Sequence, residues 1–204
     1  EGDLMSAIGR EAETPLPPYI RKPLHATERY QTVYSAVDGS SAAPTAGLHF
    51  TADKLREVED AGVRIARITL HVGASTFRPV RTESLEEHRL AGERFTISAE
   101  AADTISQAAG RLFAVGTTST RALEAAAESP GTVAPMDGQT DLFIRPGHEF
   151  RIVKGLVTNF HMPRSTLFVL VAAFAGREKL LRAYSEAVRE RYRFLSLGDA
   201  MLVV

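Results

Sequence analysis

The chain has 204 residues, a hydrophobic share of 44% and a formal net charge of −1. That length is ample for one sizeable domain, and the near-neutral charge excludes nucleic-acid binding by overall charge, leaving only a local basic face. The absence of cysteine excludes disulfides, thiol nucleophiles and cysteine metal sites and favours the cytosol, and the longest apolar run, TLFVLVAAFAG at 166–176, is too short to cross a bilayer.

Residues 1–14 read as a short helix and a turn, without the apolar core of a signal peptide. PLPPYIRKP (15–23) is extended, because proline fixes its own φ and pushes its predecessor out of the helical region. ATERYQTVYSA (26–36) reads as a short helix and GSSAAPTAGLHFT (39–51) as a loop of small residues. A helix starts at Thr51, with Leu55, Val58 and Ala61 in helical spacing up to a stop at Gly62. VRIARITLHV (63–72) is a strand by pattern, and GASTFRPV (73–80) is the loop after it. SAEAADTISQAAG (98–110) is a helix with a Ser98 cap and a glycine stop. RLFAVG (111–116) is a buried strand, and TTSTRALEAAAES (117–129) is the helix after it. DLFIRPG (141–147) and FRIVKGLVTNF (150–160) add two strands; STLFVLVAAFAG (165–176) and REKLLRAYSEAVRERY (177–192) add two helices. This alternation predicts an α/β fold with a mixed, largely parallel sheet and flanking helices.

Four loops share one design: PTAGLHFT (44–51), LHVGASTFRPV (70–80), VGTTSTR (115–121) and NFHMPRST (159–166). Each lies at a strand end or a helix start and carries small hydroxyl residues; three carry a histidine. Ligands of open α/β sheets bind beyond the carboxyl ends of the strands, where helix N-termini expose N–H groups to carboxylates or phosphates. His49, His71 and His161 sit between apolar neighbours, where a histidine is either a hydrogen-bonded core residue or a proton carrier. Three histidines also raise the question of a metal, but no i, i+4 pair on a helix supports one, and none is assigned. His25, His88 and His148 lie in polar stretches and carry no signal alone. The segment 177–194 reads as an amphipathic surface helix laced with ion pairs; Arg182, Arg189, Arg191 and Arg193 are alternatively part of a phosphate-contacting face.

The strings PLPPYI, YQTVYS, AAPTAGLHFT, TLHVGASTFRPV, AVGTTSTRALE, LFIRPG, TNFHMPRSTL, AFAG and YRFLSLGDAML occur in this order. Together they closely resemble the S-adenosylmethionine:tRNA ribosyltransferase-isomerase family of queuosine biosynthesis, over nearly the whole chain. The resemblance implies transfer and isomerisation of the ribosyl part of S-adenosylmethionine onto 7-aminomethyl-7-deazaguanine at the tRNA wobble position. Adenine and methionine leave and epoxyqueuosine-tRNA forms. It implies S-adenosylmethionine as co-substrate without a metal or redox cofactor, the tRNA anticodon loop as partner, no membrane, and a cytoplasmic protein, with a monomer favoured. The sulfonium acidifies the adjacent 5′ carbon, so a base must remove a proton there; His49, His71 and His161 are the candidates, unranked. Thr117, Thr118 and Ser119 would hold the methionine carboxylate or ribose hydroxyls, and Arg78, Arg121 and Arg164 the carboxylate or tRNA phosphates. Thr45, Asn159 and Ser165 belong to the same substrate-binding loops. Asp199 would orient a cation or the substrate amine, or else is a turn residue.

The chain also departs from the family pattern. A first α/β segment with an FNDTRV-like motif and most of an inserted β-barrel have no counterpart. Residues 1–14 resemble the tail of that barrel region or a linker, which leaves 15–204 as the C-terminal part of the catalytic domain. Ala91 replaces the second histidine of an EHxMHxE pattern, Ser75 replaces a glycine, and Gln139 stands where an aromatic residue often precedes TDLFI. These changes bear on the acceptor more than on the donor. Two other expectations therefore stand beside the first: a paralogue using the same ribosyl chemistry on another amine or nucleoside, and a non-catalytic S-adenosylmethionine- or tRNA-binding relic.

Overall fold

Among the described residues, three of five α-helices begin where the sequence supplies a side-chain cap. In the computed structural model, which describes residues 16–17, 19–20, 27–73 and 84–204, Thr51 accepts from the Lys54 amide at the start of α1 (Ala52–Asp60). Ser98 accepts from Ala101 at the start of α2 (Ala99–Ser106), and Ser165 accepts from Phe168 at the start of α4 (Thr166–Ala175). Such caps satisfy amides that the helix itself leaves unpaired. The other two, α3 (Thr117–Ala125) and α5 (Arg177–Arg189), follow glycines with positive φ, 93° at Gly116 and 85° at Gly176. Only glycine adopts that backbone without strain.

Among the described residues, the strands form three small sheets. In the first, β1 (Thr69–His71), β2 (Glu93–Ile97) and β6 (Met136–Thr140) lie in the order β1-β2-β6, all antiparallel, with Phe95 opposite Gly138. In the second, β7 (Gly155–Asn159) is central, parallel to β3 (Phe113–Val115) and antiparallel to β8 (Ala200–Val203). The third is the hairpin of β4 (Ala127–Ser129) and β5 (Thr132–Val133). Gly155 lets β3 approach β7, since a Cβ there would sit 2.3 Å from the Phe113 ring.

One apolar core joins the sheets to the helices, with Phe95 and Ile97 from β2, Leu123 from α3, Leu156 from β7 and Leu170 and Val171 from α4. Each such side chain contributes about 1.5–3 kcal/mol by leaving water. Two buried ionic devices cross this core. The Arg121 guanidinium is 2.6 Å from the Glu93 carboxylate and donates to the backbone oxygens of Leu142 and Thr140. Glu124, one turn along α3, accepts from the amides of Arg151, Ile152 and Val153 and so fixes the segment leading into β7.

The α/β class holds, but the sheet is not largely parallel: β3–β7 is the one parallel pair among the described residues. Segment 93–97 alternates buried and partly exposed positions, the pattern of an antiparallel strand with one wet face, rather than a continuous apolar run. The expected strand at 63–72 shortens to Thr69–His71, and 141–147 is not a strand. The expected helix at 26–36 is only a 3₁₀ turn, Thr27–Tyr30. The expected elements at 1–14 and 74–80 lie outside the described residues.

Candidate active site

A cleft opens at the ends of β3 and β7. Its walls come from four chain segments. The 43–46 stretch supplies Ala43, Thr45 and Ala46, and the start of α3 supplies Gly116, Thr117 and Thr118. The end of β7 and the loop after it supply Thr158, Asn159, His161 and Met162, ahead of Ser165; the 195–196 turn supplies Leu195 and Ser196. Val72 and Tyr19 close the sides. β3 ends at Val115, and the amide of the next residue, Gly116, donates to the Val157 carbonyl, so the parallel pair places the α3 N-terminus beside the end of β7.

The α3 terminus has no side-chain cap, because its N-cap is glycine. The hydroxyls of Thr117 and Thr118 have no hydrogen-bond partner among the described residues. The cleft is therefore lined by uncapped amides, by two hydroxyl donors and by the positive end of a helix, which suits a carboxylate. Ser165 lines the cleft but its hydroxyl is committed, accepting from Phe168 and donating to the Met162 carbonyl at 2.7 Å.

His161 lines the same cleft. Its Nε2 is 2.7 Å from Thr158 Oγ1. Its backbone amide donates to the Tyr184 hydroxyl at 2.7 Å, and that hydroxyl donates back to the His161 carbonyl at 3.3 Å. Tyr184, its pKa pushed up to about 12 mainly by burial, belongs to an aromatic cluster with Phe160, Phe168 and Phe194. Burial pushes the His161 pKa down to about 4, so the imidazole is neutral near pH 7. A neutral imidazole in a cleft is able to accept a proton.

His49 does not line the cleft but meets a residue that does. Its Nε2 is 3.0 Å from Nδ2 of Asn159, a residue only 2% exposed. The Asn159 amide also donates to the Leu195 carbonyl at 3.3 Å, and its oxygen accepts from Thr45 Oγ1 at 3.3 Å. The His49 pKa is lowered, chiefly by burial and also by Arg193, while Asp199 opposes the shift.

Six predicted site residues do not line the cleft: His49, His71, Ser119, Arg121, Arg164 and Asp199. His71 does not line the cleft; Val72 does, and the His71 ring lies against Gly39, 3.0 Å from where a Cβ on that glycine would stand. Ser119 faces a separate hollow beside Gln31, Tyr34 and Arg67. Arg121 is buried in its ion pair with Glu93 and does not reach the cleft. Asp199 pins the 193–199 turn, accepting from the Arg193 amide at 2.7 Å and the Arg193 guanidinium at 2.8 Å; those bonds hold its carboxyl below the usual range. Arg164 is exposed in the loop after His161, with a φ of 59°, and Arg78 lies outside the described residues. Thr158, Tyr184, Tyr19 and Ser196 were not singled out in the sequence. Tyr184 had a legible signal, because Leu180, Tyr184 and Ala187 mark the buried face of α5 at helical spacing. The Tyr19–Ser196 hydroxyl contact at 2.7 Å joins residues 177 apart in sequence, and no local pattern announces it. No group of three metal-ligating side chains stands together among the described residues, and no helix there is long and apolar enough to cross a membrane.

The family model described as queuosine biosynthesis protein matches residues 2–203. The S-adenosylmethionine:tRNA ribosyltransferase-isomerase of Desulforamulus reducens is 54% identical over 193 residues, covering 93% of this chain and 57% of that protein. The protein of the same name from Acetivibrio thermocellus is 54% identical over 206 residues, covering 100% of this chain and 60% of that one. A crystal structure of S-adenosylmethionine tRNA ribosyltransferase from Thermotoga maritima is similar at a TM-score of 0.62 and 42% identity, covering 78% of this chain and 51% of that one. This chain thus spans roughly three fifths of the length of the curated relatives it matches. With the cleft built from the strings that carry the resemblance, and a family model matched almost end to end, the chain belongs to the queuosine biosynthesis protein family.

Proposed function

We propose that this chain carries the donor-binding part of an S-adenosylmethionine:tRNA ribosyltransferase-isomerase site. The observation that carries the reading is the convergence of 43–46, 116–118, 158–165 and 195–196 on one cleft. The methionine carboxylate of S-adenosylmethionine meets the uncapped α3 N-terminus and the free hydroxyls of Thr117 and Thr118. The cationic sulfonium lies toward the imidazole of His161, which is neutral near pH 7 and does not repel it. A histidine takes the proton from the 5′ carbon, and the electron pair stays on that carbon, stabilised by the adjacent sulfur. The ribosyl group then rearranges onto the aminomethyl nitrogen of 7-aminomethyl-7-deazaguanine in tRNA, and adenine and methionine leave. S-adenosylmethionine is a co-substrate, and no separate cofactor is assigned. The tRNA anticodon loop supplies the acceptor, a cytoplasmic setting goes with that reading, and exposed Arg164, in the loop after His161, is available to a backbone phosphate.

Incubation with ribosyl-labelled S-adenosylmethionine and precursor-containing tRNA, followed by nucleoside mass analysis, tests this. Label in an epoxyqueuosine nucleoside is the expected result. Label transferred to a free amine but not to tRNA would instead select the paralogue reading.

A further inference from the structure

His161 lines the cleft and His49 meets Asn159, which lines it, and the hydrogen-bond partners of the two rings differ in kind. Asn159 Nδ2 meets His49 Nε2 at 3.0 Å. Its orientation is set independently, because the Leu195 carbonyl 3.3 Å away is able only to accept, so the nitrogen of the carboxamide must face it. Leu195 itself has a φ of 73°, and its carbonyl is also held by the Gly198 amide. The carboxamide oxygen accepts from Thr45, so a flipped Asn159 would set two oxygens against each other at Leu195. Nδ2 is therefore a donor with no accepting lone pair, and His49 Nε2 must accept. The ring is then the neutral tautomer with its proton on Nδ1. Protonating Nε2 would set two donors face to face.

Thr158 imposes no such restriction on His161. A hydroxyl both donates and accepts, so the 2.7 Å contact survives whether Nε2 is bare or protonated. Backbone bonds to Tyr184 hold the residue in place through either state.

We propose that Asn159 is a positioning residue that occupies the Nε2 lone pair of His49 and fixes that ring as an Nδ1–H donor, leaving His161, with Thr158 as its two-way partner, as the proton acceptor of the cleft. The assignment of the base rests on the ribosyl-transfer reading above; the tautomer assignment does not. The depressed pKa values of both rings agree with neutral imidazoles.

Two-bond ¹H–¹⁵N spectra of the ¹⁵N-histidine-labelled protein test the tautomer without any variant. His49 is expected as the neutral Nδ1–H form at neutral pH; an Nε2–H or cationic ring would overturn the proposal. In Asn159→Asp the donor becomes an acceptor, and His49 should convert to Nε2–H with its titration moved upward; a folded variant with an unchanged His49 spectrum contradicts the lock. In turnover assays His161→Gln should lose roughly 10²–10⁴-fold in kcat, while His49→Gln loses at least about tenfold less than that. Equal losses would overturn the assignment of the base. A wild-type protein with no turnover would sink the functional reading, and the spectra would still decide the tautomer.

Discussion

At the scale of single residues, the account makes His161 a group whose protonation opposes folding. The unfolded chain takes up this proton near pH 6.5 and the folded chain only near pH 4, because burial disfavours the imidazolium. Acid therefore favours unfolding across that window, by up to about 1.4 kcal/mol per pH unit, and the contribution is complete above pH 6.5. Urea titrations at several pH values should show stability falling from pH 6.5 to 4, with a shallower fall in His161→Gln; equal slopes would contradict the assignment. Arg121 makes a second residue-scale case. Arg121→Met removes the guanidinium that neutralises a carboxylate only 5% exposed, and should cost about 3–5 kcal/mol in unfolding free energy. Caps at Thr51 and Ser98 were legible in the sequence because capping is local chemistry, whereas Ser165 reads as a ligand-binding residue and serves as a cap. The role of Arg121 was not legible, because nothing near it announces a partner 28 positions earlier. The same limit hid the second duty of Asn159: the sequence marks it as a polar residue in a ligand loop, and only the fold brings His49, Thr45 and Leu195 around its amide.

At the scale of elements, the site depends on how β7 and α3 are held side by side. Glu124 on α3 takes three amides of the 151–153 segment, so the helix that presents Thr117 and Thr118 is tied to the approach of the strand that presents Thr158 and Asn159. Glu124→Ala leaves three amides without their acceptor, two of them buried, and each buried unpaired group costs about 1–3 kcal/mol. Chemical denaturation should show a loss of at least about 2 kcal/mol, and a smaller loss would mean that water replaces the carboxylate. The helices α4 and α5 were readable from periodicity and punctuation, as was the strand-to-helix turn at Gly116, but the helix read over 117–129 ends at Ala125 and 127–129 is β4. The short strands β2, β6 and β8 were not. Met136–Thr140 reads MDGQT, without an apolar run, and it is a strand because β2 offers it a complete ladder of partners. Tertiary pairing overrides local propensity there.

At the scale of the whole molecule, four segments far apart in sequence meet in one cleft whose polar groups suit a carboxylate and a cation. The loops that form it were visible in the sequence as strand-end and helix-start motifs, and the resemblance supplied their chemistry. Which side of each loop faces the ligand was not visible, and so Ser119 and His71 turn away while Thr158 and Ser196 turn in. The central claim is that this cleft receives S-adenosylmethionine at the α3 N-terminus. Calorimetric titration of S-adenosylmethionine into the protein and into the double variant Thr117→Val, Thr118→Val measures it most directly, since valine keeps the volume and removes only the hydroxyls. A hydrogen bond to a charged group contributes about 1.5–3 kcal/mol, so affinity should fall at least about tenfold in a variant that remains folded. An unchanged dissociation constant in that folded variant would contradict the account.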